Sequence, residues 1–139
     1  MKKIICLTLF CFAAASSVRA QGTLTLSISG LETQKGKVYV AIYNQAEGWL
    51  ESETSFKRGI FATSGDPTQI KFEDVPAGTY AVSLYHDENG NGEMDSNLVG
   101  VPKEGYGFSQ NPKITFSAPD FDECAFEHSG AQTLNIKLK

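Results

Sequence analysis

Apolar and polar residues alternate with a period of two along most of the chain after residue 20. Such alternation is typical of β-strands that bury one face, whereas an amphipathic helix repeats its apolar positions every three or four residues. Clusters of Gly, Pro and Asn separate the alternating segments, as expected for turns. The pattern predicts strands at 23–29, 37–43, 69–73, 79–86, 113–117, 121–127 and 132–139.

Seven short strands in a chain of this length favour two antiparallel sheets packed around one core. The predicted fold class is therefore all-β, a single-domain antiparallel β-sandwich of about seven strands with an immunoglobulin-like Greek key as one possible arrangement. Pro76 and Gly78 form the turn of a predicted hairpin. The segment 44–68 is the least regular, and it predicts either a short helix or an extra strand around Ile60 and Phe61.

The first 20 residues follow a different pattern. Lys2 and Lys3 precede an apolar run, and a small-residue site ends at Ala20, which together predict a secretory signal peptide over 1–20 and one domain over 21–139. The apolar run is too short for a permanent membrane helix, and no later run approaches about 20 residues, so no membrane span is expected. The predicted location is exported, either periplasmic or extracellular.

The charge balance of the chain narrows the classes of molecule that could bind to it. The chain has 12 Lys and Arg against 16 Asp and Glu, and three of the basic residues, Lys2, Lys3 and Arg19, belong to the predicted signal peptide. The mature chain then has a net charge of −7, which argues against nucleic acid as a partner. Cys124 is the one cysteine beyond the signal peptide, and its strand-like surroundings predict a buried, inert thiol.

The segment from residue 87 to residue 95 carries an oxygen-bearing side chain at every second position. Ca²⁺ prefers six to eight oxygen ligands, and calcium loops supply them from positions 1, 3 and 5, from a carbonyl at 7 and often from a water at 9, with Gly at 6. Gly92 is the sixth residue of this segment. The sequence therefore predicts a Ca²⁺ site formed by Asp87, Asn89, Asn91, Glu93 (through its carbonyl) and Asp95.

The loop departs from the full calcium pattern at position 12, where Leu98 replaces the closing Glu. A carboxylate from elsewhere must complete the site, and Glu104 is the nearest downstream candidate. The alternative is that Asn89-Gly90 and Asn91-Gly92 are turn dipeptides that bind no metal, since both residue types tolerate positive φ.

Three motifs together carry a family resemblance: VPAGTYAV at 75–82, HDENGNG at 86–92 and GVPKEGYGFS at 100–109. They resemble the bacterial secreted family catalogued as domain of unknown function 2141, and the resemblance extends over the whole mature chain. It implies a secreted β-sandwich but no established activity. The first motif is also similar to transthyretin-like (prealbumin-like) sandwiches, and similar calcium loops occur in prealbumin-like modules of bacterial adhesins. The resemblance thus implies the same calcium ligands for this chain.

Three aromatic residues are candidates for a ligand surface. Trp49 either stacks on a sugar ring or fills a gap at one end of the sandwich, and an isolated Trp is more often a packing residue. Tyr106 and Phe108 alternate with glycines just after the predicted calcium loop. They either form a platform for a ligand or fold inward to hold the loop.

No catalytic residues are predicted, because the mature chain has two histidines, His86 and His128, and no H-E-x-x-H, C-x-x-C or G-x-S-x-G motif. We expect a non-catalytic binding or structural module of the bacterial cell envelope, stabilised by Ca²⁺, with an unidentified protein or glycan as partner. The alternatives are a small exported hydrolase and a structural subunit of an envelope assembly. A binding module predicts a flat or grooved aromatic surface, whereas a hydrolase predicts a cleft that pairs a nucleophile with a base.

Overall fold

The computed structural model describes residues 21–139, and the predicted signal peptide at residues 1–20 lies outside them. Eight strands occur in this described part, with one α-helix, α1 (Phe121–Cys124), and a 3-10 turn at Ser52–Thr54. The strands are β1 (Gln21–Ser29), β2 (Lys37–Tyr43), β3 (Lys57–Ala62), β4 (Thr68–Pro76), β5 (Gly78–Asp87), β6 (Tyr106–Phe108), β7 (Phe126–His128) and β8 (Gln132–Lys137).

The strands form two sheets that pack against each other. The smaller sheet has the order β4-β1-β8, in which β1 is antiparallel to β4 and parallel to β8. The larger sheet has the order β3-β2-β5-β6 with antiparallel pairing throughout, and β7 pairs with the first residues of β5. The predicted all-β, single-domain sandwich is confirmed, with the β1–β8 pair as a parallel exception.

Side-chain alternation decides which face of each strand is buried. A shift of one residue would move every apolar side chain to the opposite face, so this pattern strongly constrains the register. Full burial of one Val, Leu or Ile side chain contributes about 1.5–3 kcal/mol. The core between the sheets includes Leu24, Leu26, Ile28, Val38, Val40, Ile42, Ile70, Phe72, Val82, Leu84 and Ile136.

The strand predicted at 113–117 is wrong. Residues 111–114 have no regular structure and residues 115–117 form a bend. Asn111 supplies a physical reason, because its Nδ2 donates to the Asn135 carbonyl at 2.8 Å and its Oδ1 accepts from the Lys137 amide at 2.8 Å. A side chain therefore occupies the place along β8 where an added strand would pair.

The strand predicted at 121–127 is also wrong over its first half, where α1 replaces it, and β7 forms over the second half. The Asp120 amide donates to Glu123 Oε2 at 2.9 Å, a contact that is typical of a helix start.

In the segment 44–68, both predicted alternatives occur: a short 3-10 helix, and the strand β3 around Ile60 and Phe61. Among residues 21–139, no helix has the length and apolar character to cross a membrane.

Candidate calcium loop and aromatic groove

The predicted calcium loop begins where β5 ends. Asp87 is the last residue of β5 and is only 1% exposed. Its Oδ1 accepts from the Gly90 amide at 2.7 Å and its Oδ2 accepts from the Gly92 amide at 2.9 Å. Both glycines have positive φ, 77° and 81°, a conformation that Gly adopts at little cost. The loop therefore coils around the carboxylate of its own first residue.

Three further side chains of the predicted set, those of Asn89, Asn91 and Asp95, meet farther along the loop. The Nδ2 atoms of Asn89 and Asn91 both donate to the Asp95 carboxylate, the latter at 3.1 Å. Their Oδ1 atoms accept from the amides of Asn91 and Glu93, each at 2.9 Å. Rotation of either amide group would turn its oxygen toward Asp95, an arrangement that a cation between the oxygens would stabilise. All these groups offer the hard oxygen ligands that Ca²⁺ prefers.

Glu104 brings a second buried carboxylate to the base of the loop. Tyr85 pairs with Tyr106, and the His86 amide donates to the Gly105 carbonyl at 2.8 Å, so the same register sets Asp87 opposite Glu104. Two carboxylates that face each other repel, and burial adds to the cost of their charges. A cation at this position would offset both effects.

The two oxygens of Glu104 bind the two ends of the loop. Oε1 accepts from the Glu88 amide at 3.0 Å and Oε2 accepts from the Asp95 amide at 3.1 Å. Glu104 is 8% exposed, so solvent does little to screen its charge. Of the predicted set, the structure therefore brings Asp87, Asp95 and Glu104 to one loop together with the two asparagines.

Leu98, at the position of the closing Glu, lies apart from this arrangement. It is fully exposed near the tip of a short hairpin in which the Lys103 amide donates to the Asp95 carbonyl at 2.8 Å. The residues from 21 to 139 contain no cluster of three or more His, Cys, Asp or Glu side chains with metal-site geometry. A calcium site here depends on asparagine and carbonyl oxygens in addition to the carboxylates.

A row of aromatic side chains crosses the outer face of the larger sheet, beside the loop. The outer face is the side of this sheet that points away from the smaller sheet. The register aligns four residues, one from each strand: Ile60, Tyr39, Tyr85 and Tyr106. Tyr39 and Tyr85 stack with their ring centroids 4.9 Å apart and their planes at 13°. The rings are rigid, and they present both an apolar surface and hydroxyl groups.

This row lies along a groove with a volume of about 1000 Å³, which we call the aromatic groove. The next row across the sheet is Arg58, Ala41, Ser83 and Phe108, and the small side chains of Ala41 and Ser83 leave space above them. Gly92, Met94, Val99 and Val101 of the candidate calcium loop and its hairpin line one side, and residues 114–118 line another. The loop is thus part of the groove.

The three aromatics predicted as a ligand surface belong to one cluster at this face. Trp49 packs edge-on against Tyr43 with ring centroids 4.9 Å apart, and its Nε1 donates to the Pro119 carbonyl at 2.8 Å. Phe108 is buried, 6.1 Å from the Trp49 ring. Tyr106 is half-buried and lines the groove. Trp49 therefore packs behind the groove, while Tyr106 is part of its surface.

Sequence reasoning missed the stacked pair Tyr39 and Tyr85. A usable signal was present, because alternation puts both residues on the face opposite the core positions of β2 and β5. The register that places one beside the other depends on strand pairing, which alternation leaves open.

The loop also acts electrostatically on the groove. Burial raises the pKa of Tyr85 to about 12, with smaller contributions from Tyr39 and from the negative charges of Asp87, Glu104 and Glu93. Each of these groups disfavours a phenolate at Tyr85. The acidic side chains of the loop are thus close enough to a groove residue to change its chemistry.

The two histidines are held in separate contacts. His86 lies near the end of β5, where its Nε2 is 2.7 Å from the Lys35 carbonyl and its Nδ1 is 3.6 Å from Glu88 Oε1. His128 pairs with Gly78 at the start of β5, and its Nδ1 is 3.1 Å from Gln132 Oε1. The length of β5 therefore separates them.

Comparison with known proteins gives one family. A family model described as "Uncharacterized protein conserved in bacteria (DUF2141)" matches residues 26–136, which include all of the candidate loop and all of the groove lining. Searches of curated proteins and of solved structures give no match. The match confirms the resemblance carried by the three sequence motifs. The chain belongs to the family of uncharacterised bacterial proteins known as domain of unknown function 2141.

Proposed function

We propose that this protein is an exported, calcium-stabilised binding module of the bacterial cell envelope, and that it holds its ligand in the aromatic groove without catalysing a reaction. The observation that carries this proposal is the row Ile60, Tyr39, Tyr85 and Tyr106 along a groove of about 1000 Å³. Ligand sites in proteins are typically concave and mostly apolar, with a few polar groups that fix orientation.

The rim of the groove supports a binding role. Ile60, Val99, Val101 and Phe116 line it and are each more than half exposed. Contiguous exposed apolar surface on a soluble domain typically marks an interaction site. This lining is more apolar than a glycan requires. A ligand with a large apolar part therefore fits the groove better than the glycan that was one of the partners expected from sequence.

The calcium part of the proposal is supported by the pair Asp87 and Glu104. Both carboxylates are at least nine-tenths buried, and both accept backbone amides of the same loop. When bound, Ca²⁺ would neutralise these charges and fix the loop that forms one side of the groove. The side chains that would hold it are Asp87, Asn89, Asn91 and Asp95, with Glu104 and the Glu93 carbonyl completing the shell.

The alternative hypotheses differ in their support. His86 and His128 contact a backbone carbonyl, a glutamate and a glutamine, and these contacts offer nothing to favour a small hydrolase. A structural subunit of an envelope assembly has one observation in its favour: Leu98 and Phe116 expose their whole side chains on the surface. Sedimentation of the purified protein across a concentration series distinguishes self-assembly from a monomeric binding module.

Thermal unfolding tests the calcium part. At a dissociation constant of about 10⁻⁴ to 10⁻³ M, about 10 mM Ca²⁺ should stabilise the purified protein by about 1.4 to 2.7 kcal/mol relative to chelator. Asp95→Asn should reduce this gain, and the exposed Asp122 on α1 provides a matched control as Asp122→Asn. An unchanged melting temperature in the wild type at that concentration contradicts the calcium site.

Binding of the neutral dye Nile red tests the groove. The dye should bind the wild-type protein, and Ala41→Leu should reduce binding because Leu fills space above the groove floor. Ala131→Leu is the matched control at an exposed position between β7 and β8. If Ala41→Leu and Ala131→Leu bind the dye as well as the wild type does, the groove is not the binding surface.

A further inference from the structure

The aromatic groove contains one charged side chain, that of Arg58. Its Nη1 donates to the Ser52 carbonyl at 3.3 Å. Within residues 21–139, His86 and Glu88 form the only ion pair with a nitrogen–oxygen distance of 4.0 Å or less. Arg58 therefore has no carboxylate partner among these residues. The mature chain is strongly acidic, with a net charge of −7 expected from sequence. A single unpaired guanidinium in an aromatic groove of an acidic protein suggests a ligand with one negative charge.

Two hydroxyl groups lie beside this guanidinium. Tyr43 and Ser83 share a side-chain hydrogen bond, and two opposite charges act on the Tyr43 phenol, that of Glu53 and, more weakly, that of Arg58. Arg58 and Ser83 occupy the same row across the sheet, separated by Ala41. One of the two hydroxyl hydrogens is used in the bond between Tyr43 and Ser83, so an anionic group placed here would meet the guanidinium fork and one hydroxyl donor, groups that bind carboxylates.

The rest of the groove is apolar in the direction away from Arg58. The stacked rings of Tyr39 and Tyr85 come first, and Val99 and Val101 of the loop hairpin form the far side. These surfaces offer contacts to an alkyl chain but few hydrogen bonds. One end of the groove therefore suits an anionic head group, and the remainder suits an apolar tail.

We propose that the aromatic groove binds a free amphiphile of the long-chain carboxylic acid class, with its carboxylate on Arg58 and its tail over Tyr39 and Tyr85. The inference rests on the proposed function, because it specifies the ligand of the same groove. Charge complementarity selects this occupant over a glycan, which needs more polar partners, and over a cationic amphiphile, which Arg58 repels.

The experiment titrates the purified protein with dodecanoate monomers, below the concentration at which they form micelles, in parallel with dodecylammonium. Trp49 touches both Tyr43 and Phe108, so its fluorescence reports on the groove, and calorimetry gives the dissociation constant. Dodecanoate should bind and dodecylammonium should bind more weakly. Ala41→Leu should weaken both, because the larger side chain fills the groove floor between Arg58 and Ser83 and narrows the groove for either compound.

Two variants isolate the role of the head group. Arg58→Gln should weaken dodecanoate binding by about tenfold or more, because it removes the charged donor that would hold the carboxylate. Lys57→Gln removes the same charge one residue away, but the Lys57 ammonium contacts the Glu73 carbonyl outside the groove. It should leave the affinity unchanged. Melting temperatures of both variants verify that the fold is intact.

The outcomes separate this inference from the proposed function. Equal affinity for the two dodecyl compounds, or equal loss in Arg58→Gln and Lys57→Gln, overturns the carboxylate site. Binding to anionic phospholipid vesicles without binding to dodecanoate monomers also overturns it. If the wild-type protein binds Nile red and Ala41→Leu blocks that binding, the proposed function stands in each of these cases. If the wild-type protein does not bind Nile red, both the proposed function and the carboxylate site are overturned.

Discussion

The Tyr85 hydroxyl donates a hydrogen bond to the Gly92 carbonyl at 3.1 Å. Tyr85 lies on the floor of the aromatic groove, and Gly92 is the sixth residue of the candidate calcium loop. Tyr39, stacked on Tyr85, also reaches this point, because its hydroxyl oxygen lies 3.5 Å from where a Cβ on Gly92 would be. Loop and groove share a direct contact, so ordering the loop restrains the groove.

Tyr85→Phe tests that contact. We expect the free energy of unfolding to fall by about 1 kcal/mol, because one hydrogen bond of this kind contributes about 0.5–1.5 kcal/mol. The effect of Ca²⁺ on Nile red fluorescence should also become smaller, since the loop no longer holds the ring. Urea denaturation gives the first quantity, and a Ca²⁺ titration of the dye complex gives the second.

Tyr39→Phe is the matched control for this prediction. It removes a hydroxyl from the other ring of the stacked pair, and within residues 21–139 that hydroxyl makes no hydrogen bond. Its stability should remain close to that of the wild type. If both variants lose equal stability, the bond to Gly92 is not the cause.

The fold was predictable from sequence where alternation is long. Five strands have at least six residues each and bury one apolar face, and all five were predicted from sequence: β1, β2, β4, β5 and β8. β6 has three residues with Gly107 at its centre, so it carries no periodic signal of its own. The false strand at 113–117 did alternate, but Asn111 already occupies the adjacent backbone groups of β8. Periodicity measures amphipathic character and cannot show which partner is available.

The candidate site was predictable to the extent that it is local. Asp87 to Asp95 is one continuous segment, so its oxygen spacing is visible in the sequence. Glu104 is 17 residues from Asp87, and it reaches the loop because the β5–β6 ladder brings it there. The groove was not predictable, since the row from Ile60 to Tyr106 requires the register of four strands. Information about non-local pairing is absent from the alternation of any single strand.

Two glycines with the same positive φ should respond differently to a Cβ. Gly36 and Gly90 both have φ of 77°. A Cβ on Gly36 would lie 1.9 Å from the Asp87 carbonyl oxygen, whereas a Cβ on Gly90 would meet nothing within 4 Å. Gly90→Ala should therefore cost about 1–2 kcal/mol from its positive φ alone. Gly36→Ala must also displace the end of β5 or its own turn.

The measurement for this pair is urea unfolding in the presence of a chelator, which removes any difference in metal binding. We expect Gly36→Ala to lower the free energy of unfolding by several kcal/mol, in the range of backbone strain plus core overpacking. Equal losses for the two variants would show that the close approach of Gly36 to Asp87 relaxes at no cost.

The Cys124 thiol should be inert in the native protein. It is fully buried, and burial raises its pKa to about 12, with smaller effects of the Glu123 and Asp120 charges. The thiolate is the nucleophile, so at pH 8 the native protein should react with a disulfide reagent about a thousandfold more slowly than the protein in urea. Release of the coloured thiol product gives both rates, and similar rates would contradict the buried position.

The raised pKa of Tyr85 predicts a pH effect whose sign follows from proton binding. The folded pKa is about 12, whereas the ordinary value is 10.0. Between those values the unfolded state has lost the proton and the folded state keeps it, so stability falls as pH rises through this window and is fully present below pH 10. Ultraviolet absorbance of the phenolate should show a step near pH 12 that Tyr85→Phe removes.

Bound Ca²⁺ should lower the pKa of Tyr85, because it cancels the charges of Asp87 and Glu104 that contribute to the rise. An unchanged Tyr85 step with about 10 mM Ca²⁺ would mean that the ion does not bind beside these carboxylates.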